Sequence, residues 1–216
     1  MGARDCERFN ALHPRVSYIP GIHSEYLADN KLLSEMSELV HAVKKPFFAH
    51  NAETVREVRE CAERHGTTPT GLFEQYGLFD YGGGGFHCCY LTDEDIRCFA
   101  DRGLWAVTCP GSNLKLASGI APVEKMRKAG VRLAIGTDGA SSNNALDLFR
   151  EMYLVSTLQK IYEEDASACP ASEVLKMACV NGARAIGLKD CDDIAEGKLA
   201  DLIVINLNRP NMQPVN

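Results

Sequence analysis

Apolar positions along the chain fall into two alternating kinds of segment, short continuous runs and longer stretches with helical spacing. Residues 16–22 read as a strand, and residues 31–43 follow with Leu32, Leu33, Met36, Leu39, Val40 and Val43 on one face of a 3.6-residue period. Residues 46–49 form a second short run, then residues 53–64 place Val55, Val58, Cys61 and Ala62 inward. A short helix is expected over 70–76, a third strand over 86–88, and a helix opening at Thr92, whose partner Asp95 three residues on suits an N-terminus. Residues 105–108 and 131–136 are the fourth and fifth strands. The helix between them, residues 122–129, has proline at its start and Gly130 just past its end. A long helix over 144–162, two shorter ones over 172–179 and 182–186, and an isolated strand over 202–205 complete the series.

Repeated strand–helix units with apolar strands imply a parallel sheet covered by helices. Either an open doubly wound sheet or a closed barrel satisfies that pattern. No G-x-G-x-x-G follows any strand, and the glycine run at 82–85 precedes a strand instead of opening a helix, so it reads as a flexible connection and the dinucleotide-binding alternative falls away.

Composition narrows the class. The chain has 216 residues, 45% of them apolar, enough for one globular core. The formal charge of −6 comes without a Lys/Arg cluster, so no nucleic-acid partner is expected; Lys44-Lys45 falls at a helix end, where cations suit the dipole. No apolar run approaches the roughly 20 residues of a membrane span, and the opening MGARDCERFN lacks a secretory core, which reads as a cytoplasmic protein. The nine cysteines are odd in number, irregularly spaced and never arranged C-x-x-C. That excludes the usual structural zinc signature and the P-C-x-x-C of cytidine-deaminase zinc sites. Buried free thiols in a reducing compartment are expected instead.

The chemistry lies at the strand ends. His23 follows the first strand, His50 ends the second, His87 lies in the third, Thr108 and Cys109 end the fourth, and Asp138 follows the fifth. Successive intervals of 27, 37, 22 and 29 residues from His23 to Asp138 each span about one β/α unit. In a parallel barrel those C-terminal ends share one mouth. His13, His41 and His65 end no strand and read as ordinary polar side chains. Three histidines and an aspartate in register are ligands that Zn²⁺ and similar metals favour in catalytic sites, so the pattern favours a metal hydrolase.

On these residues the sequence resembles a known family. FAHNAETVREV, HCCYLTDEDI, PGSNLKLASGIAPV, IGTDGASSNNALDLFREM and EGKLADLIVINLNRP are similar to the amidohydrolase superfamily, in particular the branch of 5-methylthioadenosine/S-adenosylhomocysteine deaminases, with guanine deaminases and chlorotriazine hydrolases as cousins. The resemblance runs from about Gly21 to the end. It implies an α/β fold, a partial TIM-like (β/α)₈ barrel of about the last five β/α units over residues 1–190. The start of a small β-sandwich would occupy 191–216, contributing one strand. It implies a divalent metal, zinc ahead of iron, with His87 and Asp138 as metal ligands and Asp138 also taking the proton of the attacking water. His50 would meet the substrate or the metal site. The implied reaction is loss of ammonia from an amino-substituted ring of a small molecule, a purine nucleoside first, with a guanine- or triazine-type hydrolase or an inert fragment as alternatives.

Three positions depart from the family pattern. The first-strand H-x-H pair does not occur, Tyr90 stands where many relatives have a proton-shuttling Glu (Asp93 and Glu94 follow it), and Thr108-Cys109-Pro110 replaces His-Asn-Pro. The strands correspond to the fourth through eighth of a barrel, so the chain is expected to be cut at both ends and inactive alone. Unpaired sheet edges then imply poor stability or association with other chains, copies of itself included. Asn143 is expected to cap the long helix, and Leu146, Phe149, Met152, Tyr153 and Leu158 to pack it on the barrel. For Asn113, loop hydrogen bonding and a substrate contact stand level.

Overall fold

The computed structural model describes residues 2–14 and 16–212. Four strands, β1 (Phe47–Asn51), β2 (Gly83–His87), β3 (Trp105–Thr108) and β4 (Arg132–Ile135), form one parallel sheet in sequence order. Parallel neighbours need crossovers, and helices supply them. α1 (Ala3–Asn10) and α2 (Asn30–Val43) precede β1, and α3 (Val55–His65) and α4 (Pro69–Gln75) lead to β2. α5 (Asp93–Arg102) leads to β3, and α6 (Pro110–Lys115) and α7 (Val123–Lys128) to β4. After β4 come α8 (Ala140–Asn143), α9 (Leu148–Tyr162), α10 (Ala171–Ala178) and α11 (Val180–Ala185).

Local chemistry sets several boundaries. Thr54 with Glu57 and Thr92 with Asp95 close reciprocal capping boxes at the starts of α3 and α5, and Gly66 and Gly103 end those helices in the left-handed conformation. The core lies between sheet and helices. Phe47, Phe73, Phe79 and Phe99 meet edge to face there, with Leu33, Leu104 and Met126 fully buried beside them. On the opposite sheet face Phe48, Phe86, Val107 and Ala134 line an open apolar cavity of about 370 Å³. The nine cysteines are all free; Cys6, Cys61, Cys88, Cys89, Cys109 and Cys169 are buried, and Cys179 is exposed.

The structure departs from the sequence expectation in six places. Residues 16–22 make no strand. They approach β1 through a single parallel bridge, Gly21 to Phe48, beside a Phe48 N–H bond to the Pro20 carbonyl. Pro20 has no N–H to extend that ladder. Five expected strand–helix units are therefore four strands and a flanking bridge. Residues 202–205 are not a strand either: they find no pairing partner among the described residues, and Val204 is 100% exposed. The last four residues of the expected sandwich segment lie outside the described residues.

The glycine run, read as a connection, mostly belongs to β2. At Gly83, with φ 116°, an added Cβ would sit 1.8 Å from the Phe47 carbonyl oxygen, so backbone closeness and not flexibility explains the residue. The long helix begins four residues late, because Asn144 has φ 71° and Asp147 is the cap, accepting from the amides of Phe149 and Arg150. Asn143 is buried instead of capping. Met152 does pack against the core, while Leu146, Phe149 and Tyr153 are more than half exposed.

Two measurements follow. Gly83→Ala should lower unfolding stability by roughly 2–5 kcal/mol in urea titration, from left-handed strain plus a forced separation of β1 and β2. Glu124, nearly buried on α7, has its carboxyl held at about 2, chiefly by hydrogen bonds from the Arg127 guanidinium against the opposing effect of burial, with the Cys169 amide adding. A depressed folded-state pKa stabilises above the ordinary Glu value, and that contribution is lost as pH falls towards about 2. Glu124→Gln should therefore cost roughly 2 kcal/mol at neutral pH, discounted for the part-exposed guanidinium, and the gap to the parent should close in the acid limb of a pH–stability profile.

Candidate active site

Register brings the strand-end residues together. His50 lies opposite Phe86 and Asn51 opposite His87 across β1 and β2. Strict alternation would aim His87 towards the helix side with Asn51. Its backbone turns left-handed instead, at φ 68°, as does Cys88 at 54°, and the imidazole stacks on that of His50 with centroids 5.1 Å apart. The His23 ring stacks on the other face of His50 at 4.3 Å. Ala52 and Asp138, just past β1 and β4, also adopt positive φ, at 52° and 59°. Such strain in non-glycine residues concentrates at functional positions.

Each ring nitrogen has a defined task. His50 Nδ1 donates to the His23 carbonyl at 2.6 Å; in the neutral ring that bond puts the lone pair on Nε2. His87, 1% exposed, donates from Nδ1 to Asn113 Oδ1 at 2.7 Å. Its Nε2 lies 3.8 Å from Glu53 Oε2. Burial, then the neighbouring His50, pushes the His23 pKa down.

Two carboxylates flank the rings. Glu53 Oε1 accepts from Ser118 at 2.7 Å. Asp138 accepts from Ser112 at 2.6 Å and from the Gly139 amide at 2.6 Å. Burial works to raise the Asp138 pKa, but Ser112, Ser142 and the Gly139 amide outweigh it and hold the carboxyl below its usual range, with His87 adding. Asp138 therefore stays ionised, suited to accept a proton. Cys109 is different: burial, then Asp138, pushes its thiol up to about 12, so it is a neutral neighbour and no thiolate ligand.

One segment reaches nearly all of these groups. Ser112 holds Asp138, Asn113 holds His87 and Ser118 holds Glu53, so Asn113 is a support for a histidine. Gly111 allows the approach of Glu151, whose Oε2 accepts from the Gly111 amide at 2.7 Å; a Cβ there would lie 2.4 Å from Oε1. Asn143 joins the Thr137 carbonyl at 2.6 Å to Glu151 Oε1 at 2.9 Å, tying the Asp138 turn to α9.

His50, His87 and Asp138 gather at one end of the sheet. Asp93 and Glu94 do not reach them: both are exposed at the start of α5, with Asp93 paired to Lys125. The sequence reading missed Glu53, although His50-x-x-Glu53 placed a carboxylate just past a strand-end histidine. It also missed Ser112 and Ser118. Among the described residues no three His, Cys, Asp or Glu side chains make a group able to hold a metal ion. His87 Nε2 and the Asp138 carboxylate suit metal binding chemically, but two donors fall short of the three protein ligands a catalytic zinc normally has.

Comparison with known proteins gives the family and the fold. Residues 7–216 match the model of the Amidohydrolase family, and the chain belongs to that family. It is 42% identical over 203 residues to 5-methylthioadenosine/S-adenosylhomocysteine deaminase of Caldanaerobacter subterraneus subsp. tengcongensis, covering 94% of this chain and 47% of that protein. It is 41% identical over 200 residues to 5'-deoxyadenosine deaminase of Methanothermobacter thermautotrophicus, covering 93% and 47%. The crystal structure of an adenosine deaminase from Xanthomonas campestris with bound zinc superposes with a TM-score of 0.91 at 34% identity, over 99% of this chain and 49% of that one. The chain thus spans about half the length of the relatives it matches. No helix among the described residues is long and apolar enough to cross a membrane.

Asn143→Ala should reduce stability by about 2–4 kcal/mol in chemical denaturation, because the buried Glu151 carboxylate and the Thr137 carbonyl both lose a donor. An effect below about 0.5 kcal/mol would remove Asn143 from the support of the Asp138 turn.

Proposed function

We propose that these residues form the C-terminal part of the active site of a zinc-type aminohydrolase that releases ammonia from the amino-substituted ring of a purine nucleoside. The observation that carries the reading is the stack of His23, His50 and His87, with Glu53 3.8 Å from His87 and the ionised Asp138 nearby. A divalent metal, where bound, supplies Lewis acidity that brings the pKa of water to about 7. His87 and Asp138 are the donors this chain would contribute to it, and further ligands have to come from elsewhere in a whole protein.

The chain's own groups divide the remaining work. Asp138, held ionised by Ser112, Ser142 and the Gly139 amide, accepts a proton. Glu53, aimed at His87 and steadied by Ser118, is the group placed to carry a proton to a ring nitrogen and to the departing amine. His50 Nε2 presents a lone pair to a substrate N–H. The apposed flat rings suit a planar aromatic substrate. Similarity to three deaminases that act on adenosine-type compounds supports the purine-nucleoside reading above guanine or triazines, for which the likeness extends to fold alone.

The test compares the 216-residue chain with a fusion that places it behind the N-terminal half of the Xanthomonas deaminase. The chain alone should bind zinc weakly and release no ammonia from 5'-methylthioadenosine, S-adenosylhomocysteine or adenosine. The fusion should do so, with Asp138→Asn and Glu53→Gln each losing at least about 100-fold in kcat. A zinc-loaded fusion that turns over guanine or a triazine but no nucleoside would replace the substrate assignment, and one inert towards all three classes would favour the inert fragment.

A further inference from the structure

We infer that the ion pair between Glu25 and Arg64 is a positioning device for His50, fixing which of its ring nitrogens carries the proton. The inference rests on the proposed function only in giving His50 a place in the site; the geometry stands independently. The Glu25 side chain is fully buried, and both its oxygens accept from Arg64 Nη2, at 2.7 and 2.9 Å. Arg64 belongs to the last turn of α3, whereas Glu25 opens the short 3₁₀ turn Glu25–Leu27 immediately after His23 and Ser24. The pair therefore staples the loop after the β1-flanking bridge onto a helix 39 residues further on.

What that loop presents is the His23 carbonyl. It accepts twice from one residue, from the His50 amide at 2.9 Å and from His50 Nδ1 at 2.6 Å. Neutral imidazole in water favours a proton on Nε2. A carbonyl fixed in front of Nδ1 reverses that preference, because the tautomer follows the hydrogen bond its other nitrogen makes. The same loop carries the His23 ring that covers one face of His50. Loop position thus decides both the ring plane and the proton position, and it leaves Nε2 as an acceptor towards the site. If the loop drifted, Nε2 would become a donor and would repel the substrate N–H it is placed to receive.

Stability alone does not account for this ion pair. The Glu25 carboxylate is fully buried while the Arg64 side chain is 41% exposed, so the desolvation cost falls on Glu25, and what the pair returns for it is geometric: one angle, one distance, one position of the loop. Residues on the same helix make the parallel case at the other side of the site. Glu57, buried one turn into α3, accepts from the Ala52 and Glu53 amides at 3.1 and 2.7 Å and so anchors the backbone that carries Glu53. Helix α3 supports His50 through Arg64 and Glu53 through Glu57.

The tautomer can be read without turnover, so failure of this inference is separable from failure of the function. Long-range ¹⁵N–¹H correlation spectra of the 216-residue chain, with His50 assigned by His50→Gln, should show a protonated Nδ1 and a bare Nε2. Arg64→Lys, which keeps a cation, should retain that pattern. Arg64→Met should lose it, and because a buried carboxylate left with His65 alone at 4.0 Å can unfold the chain, Glu25→Leu with Arg64→Met provides a folded apolar replacement that should lose it too. Inversion towards Nε2–H in that double variant, with the amide spectrum of the sheet unchanged, supports the inference. A His50 spectrum identical to the parent's in the folded double variant overturns it, as does a parent chain in which Nε2 is already protonated.

Discussion

The site depends on eight residues, 111–118, that leave the end of β3 and reach across three strands. Their side chains donate to Asp138 and Glu53 and accept from His87, so carboxylates and an imidazole from separate units of the sheet are fixed relative to one another by one rigid turn of backbone. Parallel strands alone would bring these residues to the same edge but would leave each side chain to its own rotamers. Short hydrogen bonds within a largely buried shell remove that freedom.

Support for this turn comes from outside it. Glu151 on α9 accepts from the Gly111 amide, which commits the position to glycine, and Asn143 carries the connection on to the turn before Asp138. On the opposite flank α3 plays the corresponding part through Glu57 and Arg64. The histidine stack therefore sits between two helices that contribute no reacting atom. This is preorganisation by buried polar groups, in which every donor is spent on holding another group's orientation.

Much of this was legible in the sequence, for physical reasons that differ by residue. His50, His87 and Asp138 stood out because apolar strands are easily seen and strand ends in a parallel sheet share a face. Thr92 with Asp95 disclosed a helix start because a capping box is a local interaction four residues long. Segment 16–22 was misjudged because whether a run pairs depends on a partner elsewhere in the chain, and Pro20 removes one of the donors it would have used. Glu53 and Ser118 were overlooked for a related reason: they are 65 residues apart, and nothing in either local pattern announces the hydrogen bond between them. His87 could be found but not aimed, since its left-handed turn reverses the face that alternation assigns.

The burial of the thiols has a practical side. Cys109 and its buried neighbours Cys88 and Cys89 have pKa values pushed far above neutrality, so at working pH they hold no appreciable thiolate. Electrophilic labels attack thiolate and need access; Cys179, at the junction of α10 and α11, is exposed, and Cys98 and Cys191 are half-buried. That junction packs beside β4. A maleimide dye or nitroxide added under mild conditions would accordingly react first at the outer flank of the sheet and leave the histidine stack chemically untouched, and replacing Cys98 and Cys191 by serine would make it a single-site spectroscopic reporter.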